Sequence, residues 1–395
     1  MSPTELRASL SLTALYALRT LGLFLILPVF AVHAAHMPGG DDHFLIGVAL
    51  GIYGLTQAIL QVPFGMLSDR IGRKRVIVPG LLLFVIGSLV AAVAPDLKWI
   101  IVGRGLQGAG AISSVVTALL ADLTSDRSRV RAMAMVGASI SLMFALSMLI
   151  APLLYQSIGM PGIFIFTAVL GLGGVAVTLY VVPDPPDTPE MRPGAVPVSF
   201  KSVALDGTLL RLNFGIFTLH SVLMSVFVVV PSMLVDGAGL PLPEHWKVYL
   251  PVVLASFVFM VPLILVAERG GRMKSVFVGS IVALAAVLVA LIVVGNHWIG
   301  LLTCLVVFFT VFNVLEASLP SLVSRLAPTG GRGTALGIYN TTQALGLFAG
   351  GALGGALRQG YGAAAVFGFC TLLVLTWLLL SLVLKTPPPG AARAH

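Results

Sequence analysis

Four ionisable residues lie inside long apolar stretches of this chain, and they are the side chains that could do chemistry there. They are Arg19, Arg104, His220 and Glu316. A charge in apolar surroundings is costly unless it is paired or hydrated, so a functional role is the first hypothesis. Glu316 is the only carboxylate well inside such a stretch. Because a carboxylate in a cavity of low dielectric can hold a proton near neutral pH, Glu316 is a candidate proton carrier.

Two of these residues also allow a simpler interpretation. His220 could titrate near neutral pH, but a single histidine on an apolar helix is more often only hydrogen-bonded. Arg104 lies in Gly103-Arg-Gly-Leu-Gln-Gly-Ala-Gly110, whose small residues let another backbone approach. Its guanidinium could act in function, or could donate to main-chain carbonyls at a broken helix turn. Both interpretations stay open at this point.

Membrane spans must position these residues, because the composition excludes a soluble protein. Hydrophobic residues make up 58% of the 395 residues and the mean hydropathy is +1.04, whereas soluble domains are about 45–50% apolar. A helix of about 20 apolar residues crosses a hydrocarbon core about 30 Å thick. Runs of this length predict an all-α membrane protein with twelve spans, at Leu10–Val32, Phe44–Leu67, Val76–Val93, Trp99–Leu120, Met133–Leu154, Ile163–Val182, Leu209–Val235, Val248–Ala267, Val276–Val294, Trp298–Val323, Thr334–Leu357 and Ala364–Leu384.

The charges outside the spans predict the orientation of the chain. If the N-terminus is cytoplasmic, 18 of the 23 Lys and Arg residues fall on that side, and only Lys98, Lys247 and Arg358 fall on the other. Positive residues in short loops favour the cytoplasm, so both termini are expected there. The formal net charge of +8 then reflects topology and contact with anionic lipids, and no nucleic-acid partner is expected.

A polar, Pro-rich segment divides the chain into two halves. No helix could persist from Pro183 through Pro197, because proline breaks helices. We expect an N-terminal six-helix bundle over 1–182, a cytoplasmic linker over 183–208, a C-terminal six-helix bundle over 209–385 and a cytoplasmic tail over 386–395.

An internal repeat supports this division. The segment Pro63–Arg73 matches Pro262–Arg272 at a constant offset of 199 residues, and each segment follows the second span of its half. Matched proline, acidic, arginine and glycine positions predict two pseudo-symmetric bundles. Duplicated halves of this kind place the substrate site at their interface, near the middle of the membrane.

A short basic loop follows the second span, with the sequence Gly65-Met-Leu-Ser-Asp-Arg-Ile-Gly-Arg-Lys-Arg75. Its cations are typical topology signals, but an acid inside a basic loop does nothing for orientation. Orientation therefore does not explain Asp69, whose carboxylate can instead pair with Arg73. Gly65 would permit a close approach of helices, and Gly72 would permit a tight turn.

Together, this loop, the segment around Arg104, and the segments Gly51–Gly65 and Asn313–Ser324 resemble the major facilitator superfamily and, within it, the drug:proton antiporter family. The resemblance covers nearly the whole chain. It implies twelve helices in two six-helix bundles, and transport by alternating access in the bacterial inner membrane. Relatives can carry a small soluble domain after the twelfth helix, and no such domain is expected here.

The resemblance also implies roles for particular residues. In the superfamily the basic loop belongs to a charge cluster that holds the outward-facing state, and the arginine of the fourth helix is linked to proton coupling. The implied gating residues are Asp69, Arg73, Asp122, Gly65 and Gly72. The residues expected in proton coupling are Glu316, Arg104 and His220. Polar residues expected in the substrate cavity are Arg19, Tyr53, Gln57, Gln107, Asn313, Tyr339 and Gln343.

The leading hypothesis is a monomeric, proton-coupled exporter of small hydrophobic or amphiphilic compounds that needs no cofactor. The fifth span departs from the Gly-Pro motif of exporters, because Ala151 precedes Pro152. Uptake of an organic anion, with Arg19 and Arg104 as counter-ions, therefore stays open. A receptor or scaffold that lost transport is a third alternative, against which the intact motifs argue. An enzyme is not expected, since the sequence has no metal cluster or Ser/His/Asp set at usable depth.

The predicted orientation can be checked at Lys201, inside the expected cytoplasmic linker. In a variant without Cys304 and Cys370, Lys201→Cys should resist an impermeant thiol reagent applied to intact cells, because the cytoplasm is closed to that reagent. Lys98→Cys, on the expected outer side, is the matched control and should react. Labelling of position 201 from outside would contradict the predicted topology.

Overall fold

The computed structural model describes residues 1–110, 112–184, 200–269, 272–294, 297–328 and 331–383. The regular secondary structure of these residues is entirely helical. Residues 185–199, the main part of the predicted linker, and 384–395, which include the predicted tail, lie outside the described residues. Gly271 of the predicted repeat lies outside them as well. The boundaries at 182, 208 and 385 therefore stay predictions.

Thirteen α-helices make up the described chain. The N-terminal half has α1 (Pro3–Phe24), α2 (Leu27–Ala34), α3 (His43–Ile71), α4 (Arg73–Ala92), α5 (Leu97–Ala109), α6 (Ser113–Asp122) and α7 (Asp126–Ala176). The C-terminal half has α8 (Phe200–Ala204), α9 (Gly207–Ser232), α10 (Trp246–Arg269), α11 (Met273–Val294), α12 (Trp298–Leu326) and α13 (Arg332–Leu382). Short π-helical turns extend α7 over Val177–Val181 and α9 over Met233–Gly237, and a 3-10 turn at Leu242–Glu244 precedes α10.

Side-chain caps explain where several of these helices begin. The first N–H groups of a helix have no partner within it, and a preceding Ser or Asp side chain can accept from them. Asp42, Asp96 and Asp206 accept such bonds at the starts of α3, α5 and α9. Ser2 and Glu5 form a reciprocal capping box at the start of α1. The caps thus determine where four apolar helices begin.

The described chain has ten helical stretches that are long and apolar enough to cross a membrane. Two of them, Arg131–Val181 and Arg332–Leu382, correspond to the 51-residue helices α7 and α13. A straight helix of that length would measure about 75 Å, more than twice the thickness of a hydrocarbon core. Gly159 (φ 65°) interrupts α7 and Gly362 (φ 79°) interrupts α13, in a backbone region that favours glycine. Each helix therefore comprises two segments, which agrees with the twelve predicted spans.

The fourth predicted span, Trp99–Leu120, is not one continuous helix. It divides into α5 and α6, with the break between Ala109 and Ser113. A side chain on Gly110 would collide with the carbonyl oxygen of Gly80 in α4. The hydroxyl of Tyr16 in α1 donates to the carbonyl oxygen of Ser113 at 2.6 Å. Contacts with two other helices thus hold the chain at the break, which no run of apolar residues could have indicated.

The two halves repeat the same order of elements. α4 begins at Arg73 and α11 begins at Met273, an offset of 200 residues that is close to the 199 of the predicted repeat. α7 and α13 are the last long helices of their halves, have equal length and both break at a glycine. The pseudo-symmetric pair of bundles predicted from the repeat is therefore confirmed.

Two faces of the bundle matter for the site. The linker face carries the end of α6 and Val182, whose carbonyl oxygen accepts from Lys74 at 2.7 Å. The opposite face carries the start of α3 and the breaks at Gly159 and Gly362. Each long span runs from one of these faces to the other.

Two helices, α3 and α13, join the halves from the opposite face to mid-depth. A side chain on Gly47 would collide with the carbonyl oxygen of Gly351, and one on Gly355 would collide with that of His43. The main-chain N–H of His43 also donates to Gln359 Oε1 at 2.8 Å. Backbones that approach this closely require small residues. We call this contact the glycine seam.

The seam can be tested by adding a side chain at Gly47. Gly47→Val should separate α3 from α13 and destabilise the protein by about 1–3 kcal/mol, because a packed interface cannot absorb the extra atoms. The measurement is the midpoint of thermal unfolding in detergent. Gly279→Val in α11 is the control, since a side chain there meets nothing within 4 Å. If both variants unfolded at the parent temperature, the seam would not depend on glycine.

Candidate functional site

Arg19 in α1 is the centre of a polar cluster inside the N-terminal half. Its guanidinium donates to Ser113 Oγ at 2.8 Å, to the hydroxyl of Tyr53 and to Gln57 Oε1 at 3.4 Å. The residue is only 6% exposed, and its Nε has no hydrogen-bond partner. Arg19 thus joins α1 to α3 and α6, and it keeps one buried donor unused.

Arg104 in α5 lies beside this cluster and is 1% exposed. It donates to Gln107 Oε1 at 2.9 Å and to the carbonyl oxygens of Leu50 and Ala49 in α3, at 3.2 and 3.3 Å. The main-chain bonds expected in the simpler interpretation are therefore present, although they go to α3 and not to the broken turn. Arg104 ties α5 to α3.

The ring of Tyr53 contacts both guanidinium groups. Its centroid lies 5.6 Å from the guanidinium carbon of Arg19 and 5.3 Å from that of Arg104, within the range of a cation–π interaction. Among the described residues neither arginine has a carboxylate within 4.0 Å. Two buried cations are therefore held by neutral groups, which leaves the interior of this half with positive charge.

A second polar cluster lies inside the C-terminal half, where α9, α12 and α13 meet. The amide nitrogen of Gln343 lies 2.7 Å from His220 Nε2 and 3.3 Å from Glu316 Oε1. The other carboxylate oxygen of Glu316 lies 3.8 Å from His220 Nε2. Gln343 therefore donates to both neighbours and holds the three side chains together.

This second cluster has unused hydrogen-bonding capacity. Glu316 Oε2 and the hydroxyl of Tyr339 have no hydrogen-bond partner, and unpaired buried polar atoms are costly. The side chain of Glu316 is 25% exposed as a whole, although its unpaired oxygen Oε2 is itself buried. A carboxylate with one unpaired oxygen can gain or lose a proton once water reaches it.

Not all of the predicted cavity residues join these clusters. Arg19, Tyr53 and Gln57 come together in one half, and Tyr339 and Gln343 lie in the other. Asn313 pairs instead with Ser256 in α10, where its amide nitrogen donates to Ser256 Oγ at 3.3 Å. Gln107 donates to Ser88 Oγ at 2.8 Å and supports Arg104. The structure therefore divides one predicted set into two clusters and two supporting residues.

An aromatic cluster that the sequence analysis missed lies between the halves. Phe144 of α7 contacts Phe227 of α9 and Phe309 and Phe312 of α12, with ring centroids 6.3, 5.9 and 6.1 Å away. The ring of Phe312 lies 6.0 Å from that of His220. The sequence feature that could have indicated this cluster is the spacing of Phe308, Phe309 and Phe312, one turn before Glu316. An apolar surface thus adjoins the carboxylate cluster.

Arg73 joins the ends of α3, α4 and α6 at the linker face. It forms ion pairs with Asp69 and with Asp122 Oδ2, the latter at 2.9 Å, and donates to Ser68 Oγ at 2.7 Å. Arg73 is 17% exposed, but Asp69 is 62% exposed. A pair this exposed contributes about 1 kcal/mol or less to stability. Ion pairs of this strength can break and form again in water.

The two glycines expected in the gate differ from each other. Gly72 has a φ of 100° and forms the one-residue turn between α3 and α4. A side chain at Gly65 would lie 3.5 Å from Ser114 Oγ, an ordinary van der Waals contact. The expected close helix approach at Gly65 is therefore wrong, because α6 lies far enough from Gly65 to leave room for a side chain.

The titratable residues of the described chain include no group of three or more His, Cys, Asp or Glu that could hold a metal ion. Cys304 and Cys370 are buried and free.

Comparison with known proteins identifies relatives of this chain. The family model described as Major Facilitator Superfamily matches residues 12–351 and 253–395. The chain is 44% identical over 393 residues to the inner membrane transport protein YajR of Escherichia coli (strain K12), covering 98% of this chain and 85% of that protein. It is 24% identical over 347 residues to the multidrug resistance protein MdtH of Aeromonas hydrophila subsp. hydrophila, covering 86% of this chain and 84% of that protein.

A solved structure shares the fold. A bacterial homologue of the human lysosomal transporter Spinster, in an inward-facing and occupied conformation, matches with a TM-score of 0.74 at 13% sequence identity. The match covers 97% of each chain. A likeness at this identity concerns the fold and not the substrate.

The role of the ion pairs of Arg73 can be tested at the linker face. Asp69→Asn should let this face open more readily, and Arg73→Gln should do so more strongly because it removes every contact of the guanidinium. The measurement is thiol labelling of a cysteine in place of Thr341, a half-buried residue of α13. Asp184→Asn, which removes a surface pair with Lys74, is the control. Unchanged labelling in both test variants would exclude a gating role.

Proposed function

The chain belongs to the Major Facilitator Superfamily, and we propose that it is a proton-coupled secondary transporter that exports small hydrophobic or amphiphilic compounds. It works by alternating access in the bacterial inner membrane, with both termini in the cytoplasm. Its partners are the transported molecule, protons and anionic lipids, and it acts as a monomer. The coupling carboxylate is Glu316.

The observation that carries this proposal is the cluster of His220, Glu316 and Gln343. It brings a carboxylate, an imidazole and an amide into contact at a depth where charge is costly. The side chain of Glu316 is partly exposed, and one buried oxygen of its carboxylate has no partner. Such a group can take a proton from water on one side and release it on the other, after the protein changes conformation.

The proton changes the charge balance between the halves. When Glu316 is ionised, its negative charge faces an interior that elsewhere holds the buried cations Arg19 and Arg104. When Glu316 is protonated, that attraction disappears. A ligand or proton shifts a conformational equilibrium only if it interacts differently with the two states. The charge of Glu316 supplies such a difference.

The arrangement of the halves supports alternating access. The glycine seam joins α3 and α13 toward the opposite face, while Ile59, Val62 and Met66, on the linker side of α3, are 50–60% exposed. The charge cluster around Arg73 lies on that same side. Rocking one half against the other would open the seam and cover the linker side of α3.

The chemistry around Glu316 supports an amphiphilic cargo. The aromatic cluster of Phe144, Phe227, Phe309 and Phe312 provides apolar surface beside one titratable group. Sites that bind apolar small molecules combine such surface with a few polar groups that fix orientation. The relative MdtH is described as a multidrug resistance protein, which agrees with this class of cargo.

A second candidate function is uptake of an organic anion together with protons. The buried guanidinium groups of Arg19 and Arg104 favour it, because they lack a carboxylate partner among the described residues and Arg19 keeps an unused donor. An anionic cargo could supply the missing charge. The departure at Ala151 from the exporters' motif agrees with this alternative.

Proton coupling can be tested with Glu316→Gln, which imitates the protonated carboxyl permanently. In proteoliposomes, downhill exchange of substrate should continue, whereas accumulation driven by a pH gradient should stop. Glu244→Gln is the control, because Glu244 pairs with Lys247 at the surface, 2.7 Å away. Full pH-driven accumulation by the Glu316→Gln variant would reduce Glu316 to a structural hydrogen-bonding residue.

The same vesicles separate the two candidate functions. Substrate added outside should raise the interior pH if protons leave in exchange, and should lower it if protons enter with the substrate. Arg19→Gln should abolish transport of a carboxylate substrate in the second case, and Arg19→Lys should retain part of it. A pH change of the antiport sign would leave export as the function.

A further inference from the structure

A cavity of about 330 Å³ lies at the opposite face, where the two halves meet. Its walls come from the start of α3, from the end of α9 with its π-helical turn, and from the break in α13. The residues that line it include His43, Val229, Met233, Asp236, Arg358 and Ala363. This volume is within the range that holds a small ligand. We call it the seam cavity.

The seam cavity contains two opposite charges that do not pair with each other. Arg358 and Asp236 both line it, yet their guanidinium and carboxylate groups form no ion pair within 4.0 Å. Arg358 is half-buried and donates through one nitrogen to the carbonyl oxygen of Val228. Asp236 is exposed. A guanidinium has five N–H donors, so most of those of Arg358 remain for another partner.

His43 adds a further free group and links the cavity to the other half. Its ring nitrogen Nδ1 is buried without a hydrogen-bond partner, and its main-chain N–H donates to Gln359 across the glycine seam. His43 belongs to the N-terminal half, whereas Asp236 and Arg358 belong to the C-terminal half. The cavity therefore exists as a whole only while the halves touch at this face.

The position of the cavity sets what can reach it. It lies at the ends of apolar helices, and the ends of membrane-spanning helices lie at the depth of lipid headgroups and surface water. A ligand there can come from solution or from the lipid itself. In either case it must satisfy one cation and one anion in the same small space.

We propose that the seam cavity binds a ligand that carries a phosphate or carboxylate a short distance from a primary ammonium. Arg358 binds the anionic group in the way that a guanidinium binds phosphate or carboxylate, with parallel N–H donors. Asp236 accepts from the ammonium. The source is either a small soluble zwitterion or the headgroup of an ethanolamine phospholipid.

Binding has a consequence for the conformational cycle. A ligand stabilises the state that it binds, and the seam cavity is complete only when the opposite face is closed. The bound zwitterion therefore slows the opening of this face. This effect does not depend on which substrate is carried or on how protons are coupled.

The test measures the thermal unfolding midpoint of the full chain in detergent against increasing O-phosphoethanolamine. Inorganic phosphate and ethanolamine serve as separate probes. A rise in the midpoint with phosphoethanolamine, well above that with either part alone, is expected. In parallel, the protein is placed in nanodiscs of choline lipids with and without ethanolamine phospholipid. Stabilisation in nanodiscs only would identify the headgroup as the source.

Two variants assign the effect to the cavity. Asp236→Asn and Arg358→Gln should each weaken apparent binding by about tenfold or more, the effect of losing one charge-assisted hydrogen bond. Lys98→Gln, an exposed cation of the opposite face outside the cavity, should leave binding unchanged. If Arg358→Gln fails to fold, Asp236→Asn decides alone, because that side chain is exposed. Equal stabilisation by phosphate alone, no stabilisation in detergent or nanodiscs, or full binding by Asp236→Asn would overturn the proposal.

Discussion

Every polar group inside the bundle must find its partner within the protein, because hydrocarbon offers none. This constraint makes the chain helical and decides how its few interior charges are held. Arg104 donates hydrogen bonds to Gln107 and to carbonyl oxygens of α3. Arg19 donates hydrogen bonds to Ser113, Tyr53 and Gln57. Glu316 keeps one oxygen and Arg19 keeps one N–H donor without a partner, which distinguishes both residues from Arg104.

The two interior clusters occupy equivalent places in the repeated halves. Arg19 bonds Ser113 where α1 meets α6, and His220 lies beside Glu316 where α9 meets α12. Arg19 and His220, like Ser113 and Glu316, are separated along the chain by nearly the repeat offset of 199 residues. The same architecture thus carries a permanent cation in one half and a titratable carboxylate in the other. In the proposed mechanism, this difference between the halves lets a proton on Glu316 change the attraction between them.

The contacts at the two faces differ in kind. Toward the opposite face, glycines let the backbones of α3 and α13 come together. Such packing depends on complementary shape, so its van der Waals contacts are lost when the face opens. At the linker face, Arg73 uses partly exposed ion pairs, which contribute little and reform easily in water. The seam cavity at the opposite face adds charged groups to the packed contact.

The sequence by itself determined the class of the protein, because span length, basic-loop bias and the internal repeat are properties of the chain that need no partner. It also indicated Glu316, Arg104 and Asp69 as candidate functional residues, since charge in or beside apolar runs is visible without coordinates. Only the tertiary structure decided the break between α5 and α6, the place of Phe144 among four other aromatic rings, and the ordinary spacing at Gly65. Each of these depends on residues far apart in the chain, and distance in space cannot be computed from hydropathy or local spacing.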